Sequence, residues 1–434
     1  MRGMRAISQF RRNDHLCGCP GALVGAYTPP RQTGVGFQVS VYYPGSLLEA
    51  GREGSLVGEL GSSIFRVVAV PGGDGLIALR EQWMDLLCRA LNPTFLHELP
   101  WSLAVATALK SGRVVFYFVY DRDRLVAVIP LEYRARWNGP VRLRALHLPS
   151  HSNIYLNDIL LDRDYVDKDV LGAVLEAVSG QPQGLRWDYF KLRKFNARSA
   201  LYAYLQGRAV ELREVGGSAF IPCRNRADIQ GISKKAWKNA NRLARKAADE
   251  VGPLALTHST PGEPLEPWFE DFMRIESSGW KGEDGTGTSL LLDKRAQAFF
   301  RALIVENAEN WETRVYVLCF GEAQVASVLC ICSGQVLYVL KTGYNEEYKA
   351  YGPGSILIAR LIEIMAENPD VTAINLTTAP PWSERWHFDR ASVHEVIIAG
   401  NTLRGRLYGA LYRLKCRLSP LKNRLISAKQ ENKV

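Results

Sequence analysis

The chain has 434 residues, 47% of them hydrophobic and 23% charged, and its 54 Lys and Arg against 44 Asp and Glu give a formal charge of +10. That balance excludes disorder throughout and leaves room for two or three domains. The longest apolar runs, such as Val114 to Tyr120, stop short of the roughly 18 to 20 residues that span a bilayer. The basic opening MRGMRAISQFRRNDHL leads into no apolar core of about 7 to 15 residues, so no secretory leader is expected and the expected compartment is the cytoplasm. Eight cysteines are too sparse for a disulfide framework, and the C-x-C pairs Cys17/Cys19 and Cys330/Cys332 lack the usual zinc partners, so no metal is expected.

Residues 1 to 61 are rich in Gly and Pro, lack sustained periodicity and read as a flexible extension. Leu76 to Leu91 and Pro100 to Lys110 then repeat apolar residues at helical spacing. Val114 to Tyr120 and Leu125 to Tyr133 follow as a hairpin about the turn Asp121-Arg122-Asp123. A second copy lies 200 residues on, where FYFVYDRDRLVAVIPL at 116 to 131 aligns without gaps on YVLCFGEAQVASVLCI at 316 to 331. More strands, a helix and a last strand follow each copy. In the first they are Arg142 to Leu148, Tyr155 to Leu161, Tyr165 to Val178 and Asp188 to Leu192; in the second, Val336 to Thr342, Gly354 to Glu367 and Ala373 to Leu376. Duplication of an α/β unit accounts for this, as would two unrelated hairpins with similar turn chemistry. The predicted units are 62 to 222 and 223 to 400.

Charge is placed unevenly. Residues 401 to 434 hold nine Lys or Arg against one Glu, and 224 to 248 hold eight basic residues against Asp228 alone. Strand-like Ala209 to Pro222 leads into this second cluster, a predicted helix over Ser233 to Glu250 with Lys234, Lys238, Arg242 and Arg245 on one face and Ala236, Ala240, Leu243 and Ala247 on another. In the tail, leucines at 403, 407, 411, 414, 418, 421 and 425 form an amphipathic pattern that Pro420 breaks. Such a stretch lies on anionic lipid, binds a partner helix, or docks on the chain's own second unit, and the last is the expectation carried forward.

Lys349-Ala-Tyr-Gly352-Pro-Gly354-Ser355 stands between a strand ending near Thr342 and a helix running to Glu367. Closely spaced glycines at a helix start let backbone N–H groups face a phosphate, although the same string also serves as an ordinary turn. This segment resembles the GNAT acyltransferase superfamily, whose CoA loop reads Q/R-x-x-G-x-G/A, with Lys349 where Gln or Arg is usual. More specifically, the chain resembles the CelD-type, FemAB-related branch with two GNAT-like units in one polypeptide. FLHELPWSLA, KKAWKNANRLARKA, Glu276-Ser-Ser-Gly-Trp280-Lys281-Gly282 and the Tyr344 to Gly354 loop carry that resemblance over about residues 75 to 400. It implies mixed α/β sheets in two tandem GNAT-like domains, the second holding the donor.

The resemblance also implies acyl transfer from acetyl-CoA or another acyl-CoA to an amine or hydroxyl, on a small-molecule or glycan acceptor of envelope or polysaccharide metabolism. No protein nucleophile is needed, and the sequence shows no G-x-S-x-G elbow or HExxH. Lys349, Gly352, Gly354 and Ser355 are the candidate donor-binding residues. Glu276 and Glu384 are candidate bases, and Tyr348 and Tyr351 candidate proton donors to the leaving thiolate. Trp280, Lys281, Trp382, Arg385 and Trp386 are candidate acceptor contacts. Relatives carry a Y-K-x-R-W-like run where this chain reads Trp382-Ser383-Glu384-Arg385-Trp386, so Ser383 stands in place of lysine and Arg385 is the cation left to replace it.

Two rivals stand beside this reading. A FemAB-like aminoacyl transferase would use charged tRNA, with the basic helix on its phosphates. A non-catalytic scaffold would use 401 to 434 to meet an envelope synthase or the inner face of the membrane.

Overall fold

The computed structural model describes residues 65–108, 114–179, 186–224, 231–279, 281–283, 285–305 and 311–416. The expectations for residues 1 to 61, for Trp280 and for the break at Pro420 lie outside them. The first half runs β1 (Phe65–Pro71), α1 (Gly72–Ala78), α2 (Arg80–Arg89), α3 (Leu99–Ala108), β2 (Val114–Asp121), β3 (Arg124–Asn138), β4 (Val141–His147), β5 (Leu160–Leu161), α4 (Val170–Ser179), β6 (Tyr189–Asn196), α5 (Ala200–Leu205) and β7 (Arg213–Pro222). The second runs α6 (Lys234–Glu250), β8 (Leu254–His258), α7 (Glu266–Ser277), α8 (Lys294–Val305), β9 (Trp311–Phe320), β10 (Ala323–Ser333), β11 (Val336–Tyr344), α9 (Pro353–Glu367), β12 (Ala373–Asn375), α10 (Pro381–Glu384) and β13 (Asp389–Ala399). A last helix, α11, covers 403–416.

Two local expectations change. The predicted helix over Leu76 to Leu91 is two helices meeting at Leu79, whose ψ of 14° leaves the helical range. The predicted strand from Tyr155 shrinks to Leu160–Leu161, because the residues before it serve as a loop.

One 13-stranded mixed sheet carries everything, in the order β1-β2-β3-β4-β6-β13-β7-β12-β11-β10-β9-β8, with β5 on β3. Its two ends repeat. Each half is an antiparallel run of four strands (β1 to β4; β8 to β11), a crossover helix (α4; α9) and a strand parallel to the fourth (β6 on β4; β12 on β11). The sixth strand of each half comes from the other. β7, which ends the first predicted unit at 222, pairs with β12, and β13 from the second pairs with β6. β7 and β13 also pair with each other, which joins the halves into one sheet.

The repeat corrects the alignment that revealed it. Hairpin turns close at Asp121↔Arg124 and Phe320↔Ala323, and the ladders skip Val126 and Val325. Both features are 199 residues apart, not 200. Side-chain direction agrees, since Val119 and Ile129 pack with the layer under α4 while Leu318 and Val328 pack with the layer under α9. A shift of 200 would swap these faces, because strands alternate with period two.

Helices cover both faces. α4 and α5 lie on one face of the first half, and α1 and α2 on the other. In the second half α6 and α9 share one core layer, and α7 and α8 the opposite one, into which α3 of the first half inserts Trp101 with its ring 5.2 Å from that of Phe299.

Candidate active site

The site begins where two parallel strands part. β11 and β12 stay paired for three residues only, Val336 to Tyr338 against Ala373 to Asn375. The ladder between β10 and β11 then skips Leu340, a bulge that bends β11 and re-aims the residues after it. Beyond the fork, Val339 to Thr342 form one wall of a cavity, and Leu376, Thr378 and Pro380 the other. At its apex Thr377 takes φ +56°, in the left-handed region that non-glycine residues rarely adopt, and its hydroxyl donates to Val339 O at 3.1 Å.

Two connected cavities fill the fork. The smaller, of about 160 Å³, is closed by Tyr155, Lys281 and Trp382. The larger, of about 690 Å³, shares Lys281, Thr342, Pro380 and Trp382 with it and extends along Lys349, Gly352, Pro353, Gly354 and Ser355. Three cations (Lys281, Lys349, Arg385) and one carboxylate, Glu276, stand in its wall, a balance that favours an anionic ligand.

The turn over Lys349 to Ser355 opens on this cavity, with fewer amides to offer than its glycines suggest. Gly352 sits at φ 61°, ψ 47°, and a Cβ there would come within 2.8 Å of Leu243 Cδ1 on α6, so only glycine fits. Its amide donates to Lys349 O at 3.0 Å, and Ser355 N donates back to Gly352 O at 3.0 Å. Pro353 has no N–H. Gly354, in the first turn of α9, therefore supplies the amide that a helix start presents to an anion. Lys349 is largely exposed and 3.9 Å from Glu346, free of any burial that would fix it.

Glu276 closes α7 and is fully buried. Its Oε1 accepts from Lys281 Nζ at 2.9 Å with Lys341 Nζ 3.6 Å away, and its Oε2 accepts from Leu290 N at 2.9 Å. Lys281 also donates to Thr342 O at 2.8 Å, which pins the ammonium where the two cavities meet. With both oxygens already accepting, the carboxylate positions Lys281 rather than waiting as an unengaged base.

Several candidates fall elsewhere. Glu384 is exposed at the end of α10 and is absent from both cavity walls. Tyr348 and Tyr351 turn their rings onto Phe320, at 6.1 and 6.2 Å, and the Tyr351 hydroxyl donates to Glu250 at 3.1 Å, on the side of the turn facing α6. Ser383 is buried, and its hydroxyl donates to Pro380 O at 2.7 Å. Trp382, Arg385 and Trp386 do line the larger cavity, with Trp386 packed edge-on to Trp237 of α6 at 5.7 Å.

Sequence reasoning missed Tyr344 and Tyr155. Tyr344 lines the larger cavity and donates to Glu346 Oε1 at 3.0 Å. It stood inside the quoted Tyr344 to Gly354 loop, so alternation along β11 could have singled it out. Tyr155 had no such signal, since it comes from the first half. Burial pushes both phenols above their ordinary value, which keeps their protons on. In the first half the equivalent fork between β4 and β6 is filled by the chain itself, with Leu148 N donating to Lys191 O at 3.3 Å, Asn157 N to Lys194 O at 2.8 Å, and Lys194 Nζ to Ile154 O at 2.7 Å. The loop that plugs one fork thus furnishes a wall residue for the other.

A family model described as an acetyltransferase (GNAT) domain matches residues 234–385. No curated protein matches the chain. Among solved structures, FemX aligns with a TM-score of 0.51 at 11% identity, over 77% of this chain and 97% of its own. L-PGS from Bacillus licheniformis gives 0.48 at 13%, over 76% and 95%, and a tandem GNAT protein from the clavulanic acid biosynthesis pathway gives 0.44 at 11%, over 78% and 100%.

Proposed function

We propose that this chain, whose residues 234–385 match the acetyltransferase (GNAT) domain model and whose fold is like that of FemX, is an enzyme that moves an acyl group from acyl-CoA to an amine or hydroxyl acceptor. The observation that carries the proposal is the fork between β11 and β12, with the Gly352 turn and the start of α9 opening onto it. A thioester donor has a diphosphate at one end and an extended polar arm at the other. Gly354 N and Lys349 suit the first. The strand edges exposed by the fork suit the second.

As the acceptor's N or O bonds to the carbonyl carbon, the C–S bond breaks, the departing sulfur takes a proton, and the acceptor gives up one of its own to water, from which the proton donor is restored. Tyr344, in place of Tyr348 and Tyr351, is the hydroxyl in the wall suited to give it. The acceptor enters past Tyr155, Lys281 and Trp382, where Glu276 keeps Lys281 in place. Arg385 supplies the cation that Ser383 does not.

Gly354 provides the test. A Cβ added there meets only Tyr344 Cδ1, at 3.8 Å, so Gly354→Val leaves the fold intact while its branches crowd the turn. Calorimetric titration with acetyl-CoA is expected to give heat with the parent and none with Gly354→Val at unchanged melting temperature; equal heats would defeat the donor site.

A second reading keeps the site and changes the donor. α6 packs directly on the turn, with Lys246 Nζ 5.1 Å from the Tyr351 ring centre, and exposes Lys234, Lys238, Arg242 and Arg245 on its solvent side. That stripe favours a donor with many phosphates, as an aminoacyl-tRNA has.

A further inference from the structure

The last helix is docked by the face that its leucines do not occupy. Thr402 Oγ1 donates to Asp188 Oδ1 at 2.7 Å, Tyr408 stacks on Tyr189 with ring centres 4.4 Å apart, and the Tyr412 hydroxyl donates to Glu395 Oε1 at 2.8 Å. Gly405 and Gly409 lie against the sheet so closely that a Cβ would meet Asp188 O at 2.0 Å and Ala399 Cβ at 2.8 Å. The helix therefore rests on β6 of the first half and on β13 of the second, by its glycine and tyrosine face and not by its leucines. Those leucines face solvent instead. Leu403 is 85% exposed, Leu407 59%, Leu411 56% and Leu414 53%.

At about 100° per residue the four leucines fall within about 80° of the helix circumference, opposite the docked face. Arg404 and Lys415 flank the stripe on one side, Arg406 and Arg413 on the other, all exposed, and no acidic residue occurs between 401 and 416. The surface continues beyond the helix. Arg404 donates to Arg142 O at 3.2 Å, which sets the start of α11 against the β3–β4 hairpin. Near the tip of that hairpin Trp137 is 70% exposed and Val141 39%, with exposed Arg136 and Arg142 beside them.

We propose that the leucine stripe of α11, together with Trp137, docks this protein on an anionic bilayer surface. Leucines at the acyl boundary, flanking cations at the depth of lipid phosphates and an indole at the interface are the arrangement such a surface selects. A second copy of the chain fits less well, because both flanks of the stripe carry the same charge and would face their like. Nucleic acid would pair with the cations and leave the leucines in water. The proposal does not rest on the acyltransfer reading.

The test is co-sedimentation of the full chain with vesicles of phosphatidylcholine alone and of phosphatidylcholine with phosphatidylglycerol. We expect binding to the anionic vesicles, weakening as salt is raised, and little binding to neutral ones. Leu407→Ser with Leu411→Ser, both solvent-facing and so compatible with folding, is expected to lower partitioning at least about tenfold, and Trp137→Ala to lower it severalfold. Circular dichroism and melting temperature of each variant establish that it is folded. Absence of parent binding to anionic vesicles, or equal binding by the parent and the double leucine variant, overturns the proposal. So does a concentration-dependent dimer in sedimentation velocity that the leucine changes abolish, since the stripe would then be covered by a second copy.

Discussion

Gly352 and Glu98 show how single residues set measurable limits on this chain. Gly352 combines a left-handed backbone with the closeness of Leu243. Gly352→Ala is therefore expected to cost about 1–3 kcal/mol in urea denaturation, whereas Gly354→Ala, whose Cβ meets only ordinary contact, should cost far less. Glu98, buried beside α3 with His97 and Ser333 near its carboxyl, has its pKa raised by burial from 4.5 to about 7. The native state thus binds a proton that the unfolded chain holds only below about pH 4.5, so this group's contribution is full below that value and is lost as pH rises through about 7. Glu98→Gln stays neutral at every pH. Between about pH 5 and about pH 8 its stability should fall less than that of the parent, by on the order of 1–3 kcal/mol, in denaturant titrations at the two values.

At the scale of elements, α6 links the fold to the choice of donor. Its buried Ala240, Ala244 and Ala247 bring it close to the core of the second half, Leu243 meets the donor turn, and its exposed cations form the solvent side of the same helix. If the donor is acyl-CoA, Lys238→Ala with Arg242→Ala should weaken acetyl-CoA binding by less than about tenfold, since at most a few phosphates are in reach. If it is an aminoacyl-tRNA, the same change should weaken tRNA binding more strongly and flatten its salt dependence by about two contacts in a log–log plot of affinity against salt. Titrations of both ligands at two salt concentrations decide between them. The basic stripe itself was plain from sequence, because helical spacing fixes which residues share a face. Its neighbour was not, because that depends on packing between α6 and the Gly352 turn, residues more than 100 positions apart in the chain.

The exchange of β7 and β13 governs the whole molecule. Neither predicted unit holds its own sixth strand, so a fragment ending at 222 would lack β13 and leave β6 with an open edge. Unpaired edges recruit other chains. We expect residues 65–222 expressed alone to be aggregated or unfolded by circular dichroism, and the intact chain to unfold in a single calorimetric transition. A stable, monomeric, native-like fragment would show that the exchange is dispensable.

Local sequence determined the elements and the repeat. Alternation marked the hairpins, glycine and proline marked the donor turn, and the spacing of leucines and arginines marked the amphipathic tail, because each of these signals is set by residues within one or two turns of one another. Tertiary structure alone decided the rest. The one-residue offset between the halves follows from where the turns and bulges fall. The place of Tyr155 follows from a loop of one half reaching the fork of the other, and the positioning of Lys281 from a buried carboxylate shared with Lys341. The outward face of the leucines follows from glycines and tyrosines that fit the sheet more closely than the leucines could, a comparison of two surfaces that exists only once the chain has folded.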